Sequence, residues 1–186
     1  MRRLLIGICI VGVVMLCLTS AAAESLFKNA EAAIGDAYGS SEREMRPSEF
    51  DKSVLRYVKN HFGKSAMPQR IRGDFDGNKL QDFALFIRRG NAVKLVAMNQ
   101  VSREAWTIRE LYSGTYTGGL QGGMSKYTIF ITLRRPGTIA YWPDDGKGKS
   151  GRLKLKHDGI ELNFYGKAST LFYWNGKGFP KVQTGD

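Results

Sequence analysis

The chain opens with an unbroken apolar run, Leu4 to Leu18, passes through a stretch of helical spacing, and then becomes a series of short apolar runs that continues to its end. In the middle stretch Phe50, Val54, Leu55, Val58 and Phe62 recur at the three- and four-residue intervals of one helix face. Ser48 is placed to act as N-cap, with Asp51 three residues later closing a capping-box-like turn, and Gly63 ends the helix. Upstream, Leu26, Phe27, Ala30, Ala33 and Ile34 suit one face of a short helix, and Gly35 to Arg46 reads as linker.

From Asp82 onward the period changes. Asp82–Arg88, Ala92–Asn99, Ala105–Tyr112, Tyr127–Leu133, Thr138–Trp142, Arg152–His157, Ile160–Phe164 and Ser169–Trp174 are rich in β-branched and aromatic residues and predict strands. Asp158-Gly159 and Asn175-Gly176 are hairpin signals, the first expected to join the strands on either side of it. A short closing strand near Phe179–Val182 follows, confined to a sheet edge by Pro180. The fold class expected is therefore mainly β, with antiparallel, hairpin-rich sheets and one N-terminal α-helix packed against them. Glycine-rich stretches at Ser113–Lys126 and Asp144–Gly151 lack phosphate-loop spacing and read as hairpin connections.

The opening run changes the picture of the N-terminus. Met1-Arg2-Arg3, the apolar core, and Thr19-Ser20-Ala21-Ala22-Ala23 have the layout of a secretory signal peptide cut after Ala23. A core of about 15 residues falls short of the roughly 20 needed to span a bilayer, which argues against a stable membrane anchor. The residues before Cys9 and Cys17 are Ile8 and Leu16, where a lipid-attachment signal needs a small residue. The organisation expected is a leader at 1–23, a polar lead-in at 24–47, and one β-rich domain at 48–186. The localisation expected is periplasmic or secreted.

Both cysteines lie in the leader, so thiol catalysis, redox exchange and cysteine zinc sites are excluded for residues 24–186. The formal net charge of the whole chain is +11, with Arg2 and Arg3 in the leader. That balance favours anionic surroundings, such as an envelope polymer or glycan. The basic residues are scattered, with no run longer than Arg88-Arg89 or Arg134-Arg135, and no nucleic-acid partner is expected.

One segment carries chemistry. In Asp74-Phe75-Asp76-Gly77-Asn78-Lys79-Leu80-Gln81-Asp82, oxygen-bearing side chains fall at positions one, three, five and nine, namely Asp74, Asp76, Asn78 and Asp82. Position seven, Leu80, can offer its backbone carbonyl. Calcium takes six to eight oxygens, and a sharply turning loop aims alternate ones at a single centre. Three carboxylates within nine residues repel one another, and a cation relieves that. An EF-hand would need glycine at position six and glutamate at twelve, where this chain has Lys79 and Leu85, so that motif fails.

The aspartate–aromatic–aspartate–glycine opening, the later oxygen ligands, and Asp82 leading into an apolar strand resemble the FG-GAP or VCBS-type calcium loop. That loop occurs in propeller blades and in small exported bacterial β proteins. The resemblance implies calcium held by Asp74, Asp76, Asn78 and Asp82 with the Leu80 carbonyl. It covers about a dozen residues and departs from the family at Lys79, where a second glycine is common. The motif occurs once, so a full propeller is not encoded. The segments Asp158–Leu162 and Tyr173–Lys177 also resemble the C-terminal hairpins of small exported bacterial proteins of unknown function.

Catalytic machinery is not apparent. His61 and His157 are the two histidines, and His157 and Asp158, adjacent at a strand end, face opposite ways. Glu104, Glu110, Asp144, Asp145 and Glu161 have no spacing that singles out a hydrolytic pair. Trp106, Tyr112, Tyr116, Tyr141, Trp142, Tyr165, Tyr173 and Trp174 suit core or cross-strand packing better than a sugar-binding face. The reading is an exported, non-catalytic calcium-binding β module acting in binding or structure at the cell envelope. The alternatives are an accessory domain for an anionic glycan or cell-wall polymer, and a carboxylate-based hydrolase.

Overall fold

The computed structural model describes residues 25–114, 127–142 and 150–185. The leader, Tyr116, Asp144, Asp145 and most of the two glycine-rich stretches lie outside the described residues. No helix of the described residues is long and apolar enough to cross a membrane.

The fold is mainly β and antiparallel, as the strand pattern predicts. The first sheet runs β1 (Arg43–Glu44), β3 (Asp82–Arg89), β4 (Ala92–Gln100) and β5 (Trp106–Gly114), with β2 (Arg70–Gly73) on the same edge of β3 as β1. The second has the order β11 (Lys181–Gly185), β10 (Ser169–Phe172), β9 (Gly159–Phe164), β6 (Ile129–Arg134). A ribbon of β7 (Gly137–Tyr141) and β8 (Gly151–Leu155) joins β11 through paired backbone bonds between Trp142 and Gln183. Pro180 therefore precedes a strand that is last in its own sheet.

Both faces of the first sheet are covered, which explains why β3 and β4 are apolar on both sides. Helix α1 (residues 25–38) lays Ala30 and Ile34 on Phe83, Leu85, Ile87, Val96 and Met98. On the opposite face Ala84, Phe86, Val93, Leu95 and Ala97 meet Ile129, Ile131, Ile160, Leu162 and Phe172 of the second sheet. Helix α2 (Lys52–Phe62) adds Val54 and Val58 to that same core. Each large aliphatic or aromatic side chain so buried stabilises the fold by roughly 1.5–3 kcal/mol relative to exposure.

Several expectations are corrected. Residues 24–47 carry α1 and β1 as well as connecting chain, and α1 continues past Gly35 because Tyr38 still has the sheet to pack on. The cap of α2 is Asp51, whose carboxylate accepts the Ser53 amide at 2.7 Å, while Ser48 lies inside a short 3-10 turn, Pro47–Glu49. Burial opposes ionisation of Glu49 in that turn. Bonds from Arg43, the Arg46 amide and Arg88 outweigh it and hold the carboxyl down at about 2.

Asp158-Gly159 does not close a hairpin, since β8 pairs with β7 whereas β9 pairs with β10 and β6. Gly159 is needed there for closeness, because a Cβ would stand 2.8 Å from the Leu171 side chain. Asn175-Gly176 does lie in the β10–β11 hairpin, but within a longer loop in which Asn175 Oδ1 accepts the Lys177 and Gly178 amides.

Candidate metal centre and adjoining cleft

The acidic segment is the loop between β2 and β3, which are neighbours in one sheet with Gly73 opposite Asp82. Side-chain caps fold it tightly. Asp74 accepts the Gly77 amide at 2.8 Å and the Lys79 amide at 3.1 Å, Asp76 accepts the Asn78 amide at 3.1 Å, and Asn78 accepts the Leu80 amide at 2.7 Å. These are the local turns that aspartate and asparagine favour. Gly77 has φ +80°, and a Cβ there would lie 2.1 Å from the His157 ring. Lys79 also has a positive φ, +67°, a conformation costing a non-glycine residue about 1 kcal/mol.

The loop brings Asp74, Asp76 and Asp82 together, with one potential ligand oxygen of each within 4.8 Å of the others. Asp82 is the buried member, at 0% exposure. Its carboxylate accepts the Phe75 amide at 2.7 Å, the Gln100 amide at 2.8 Å and Asn99 Nδ2 at 3.2 Å. Burial pushes its pKa up to about 6. The backbone bonds from Gln100 and Phe75 oppose that rise, and the charges of Asp76 and Asp74 add to it.

Asn78 donates Nδ2 to the Gln100 carbonyl at 2.6 Å, which fixes the loop to the end of β4. The Leu80 side chain is 37% exposed. The donor set is thus hard oxygen, with one desolvated carboxylate beside two others. A divalent cation would compensate that arrangement, so the residues present fit calcium.

Three residues around the loop escaped sequence reasoning. Asn99 and Gln100 are 2% and 5% exposed, and the Asn99 Oδ1 meets no partner among the described residues. Two amides ending an otherwise apolar strand were the available signal. Asp158 is the third. It accepts the Asp74 amide at 3.1 Å and pairs with Arg135 at 3.2 Å. Its partner lies 84 residues away, and no local pattern marks it.

Of the candidates weighed for catalysis, His157 and Asp158 adjoin the loop, and His61 and Glu161 make contacts away from it. His61 donates Nδ1 to the Tyr57 carbonyl at 2.9 Å and stacks on the Tyr57 ring. His157 packs on Gly77 while Asp158 turns to Asp74 and Arg135. Glu161 bonds Thr184 and Thr132. Among the aromatics, Trp106 packs on Phe83 and Tyr112 on Phe164, both half-buried against the core clusters, whereas Trp142 and Tyr165 are exposed. Tyr173 and Trp174 border a cleft of about 390 Å³ that Asp76 and His157 also line.

No family model matches the chain, and no curated protein or solved structure matches it. The likeness of the loop to FG-GAP and VCBS calcium loops rests on the residues of the loop itself.

Proposed function

We propose that the chain is an exported, non-catalytic calcium-binding β module, with Asp74, Asp76, Asn78, the Leu80 carbonyl and Asp82 holding one ion as a structural clip at the β2–β3 turn. A single observation carries this reading: Asp82 is fully buried yet sits with its carboxylate oxygens beside those of Asp74 and Asp76. Desolvated like charges are costly unless a counter-charge joins them. The cation would supply that charge and tie together the turn, the end of β4 and, through Asp158, the second sheet.

Residues 1–23 are proposed to direct export to the periplasm or beyond and to be removed after Ala23. Calcium titration by calorimetry tests the site. Saturable binding of one calcium per chain, lost in Asp74→Asn and Asp76→Asn, is the result expected, and no heat above a magnesium control would refute it.

A further inference from the structure

Lys154 and Lys156 lie two positions apart on one side of the β8 segment, both exposed, while the alternating Leu153 and Leu155 pack into the small core under the ribbon. Neither lysine makes an ion pair among the described residues. Both open on the cleft of about 390 Å³, within the ~300–1,000 Å³ range of small-ligand sites. Its remaining chemistry is mixed. Trp174 supplies an aromatic wall, and the Arg109 guanidinium stands 5.0 Å from its ring centre, adding positive charge beside that wall. Asn175 uses Oδ1 within its own loop and leaves the Nδ2 donors unbonded among the described residues. Asp76 adds a carboxylate acceptor to the same lining.

This combination discriminates among anions. A ligand of uniform negative charge, such as a polyphosphate or nucleic-acid backbone, is attracted by the lysines and repelled by the Asp76 carboxylate in the same lining. A neutral sugar leaves both ammonium groups without a counter-charge. A saccharide with an acidic group and several hydroxyls satisfies each of these groups. Its anion meets Lys154 and Lys156, its hydroxyls donate to Asp76 and accept from Asn175, and its apolar ring edge lies toward Trp174. We propose that this cleft between β8 and the β10–β11 loop binds an acidic saccharide, with Lys154 and Lys156 as the anion-binding pair. Asp76 plays this part in the cation-free loop, so the proposal stands apart from the calcium reading.

Calorimetry on the exported chain, produced from its full sequence, tests this with tri-galacturonate as the carboxylated probe and glucose 6-phosphate as the phosphorylated one. Galactotriose and inorganic polyphosphate serve as controls. Runs in chelator keep the result separate from the calcium reading, which is judged by calcium titration without sugar. The expected result is saturable binding of one of the acidic sugars, at least tenfold tighter than galactotriose or polyphosphate. Lys154→Ala/Lys156→Ala should weaken it at least tenfold, and Lys52→Ala/Lys59→Ala, on exposed positions of α2, should leave it unchanged. The four lysines are exposed, so the variants should match the unsubstituted chain in melting temperature. Failure of both acidic sugars to bind would overturn the proposal, as would equal binding by the Lys154/Lys156 variant or polyphosphate binding as tight as that of the sugar.

Discussion

Asp74 and Asp158 hold each other through two hydrogen bonds: the Asp74 amide donates to Asp158 Oδ2 at 3.1 Å, and the Asp158 amide donates to the Asp74 carbonyl at 3.2 Å. The first position of the acidic loop is thereby fixed to the corner between β8 and β9. The loop belongs to one sheet and the corner leads into the other, so the pair couples the two. Asp158 is nearly buried, and Arg135 offsets its charge from the solvent side.

Asp158→Ala should therefore destabilise the fold by about 1–2 kcal/mol, the cost of leaving the half-buried Asp74 amide without its acceptor. Arg135 is largely exposed, and Arg135→Ala should cost less than about 1 kcal/mol. Urea unfolding of the two variants checks the order. Equal losses would mean that the ion pair, and not the amide bond, fixes the corner.

The two positive-φ positions of the loop should respond in opposite directions. Lys79→Gly relieves a left-handed backbone and should stabilise the chain by up to about 1 kcal/mol, while also removing a positive charge near the proposed ion. Gly77→Ala should destabilise by more than that, because strain at φ +80° adds to a collision with His157. Thermal unfolding of both variants in chelator reads the backbone effect without any contribution from calcium.

Much of this architecture was legible in the sequence. The strands from Asp82 onward and helix α2 follow from period and turn chemistry, because each buries a face long enough to leave a pattern. β1 and β2 did not show, since they are two and four residues long and Ile71 is the one apolar residue between them. The acidic loop was visible because its residues are contiguous. Its surroundings were not, because Asn99, Gln100, His157 and Asp158 reach it only through strand pairing and sheet packing. The mispaired β8–β9 hairpin has the same origin: Asp-Gly favours a tight turn locally, but Asp158 is drawn inward by the Asp74 amide.

Glu44 supplies a pH dependence remote from the loop. Its carboxyl is pushed up from 4.5 to about 7, first by burial, with Arg70 at 3.5 Å only partly compensating and Glu31 adding to the rise. A folded state with the higher pKa binds more protons than the unfolded chain between pH 4.5 and 7, so stability should fall as pH rises through that window. The full effect is as much as about 3 kcal/mol. Glu44→Gln should flatten that part of the profile and exceed the unsubstituted chain in stability at pH 8. Denaturant midpoints between pH 4 and 8 test this, and an unchanged slope in the variant would assign the titration to another group.

The most direct test of the calcium clip is the melting temperature of the unsubstituted chain in millimolar calcium, in chelator, and in magnesium. Extracellular calcium modules bind near 10⁻⁴–10⁻³ M, so millimolar calcium should add around 1 kcal/mol, or about 2–4 °C for a domain of this size. Asp74→Asn and Asp76→Asn should abolish the shift. These two are cleaner than changes at Asp82, whose three hydrogen bonds support the fold with or without an ion. A rise of that size in calcium, absent in magnesium and in both variants, is the result the account predicts; equal melting temperatures in calcium and chelator would contradict it and leave the loop an ordinary turn.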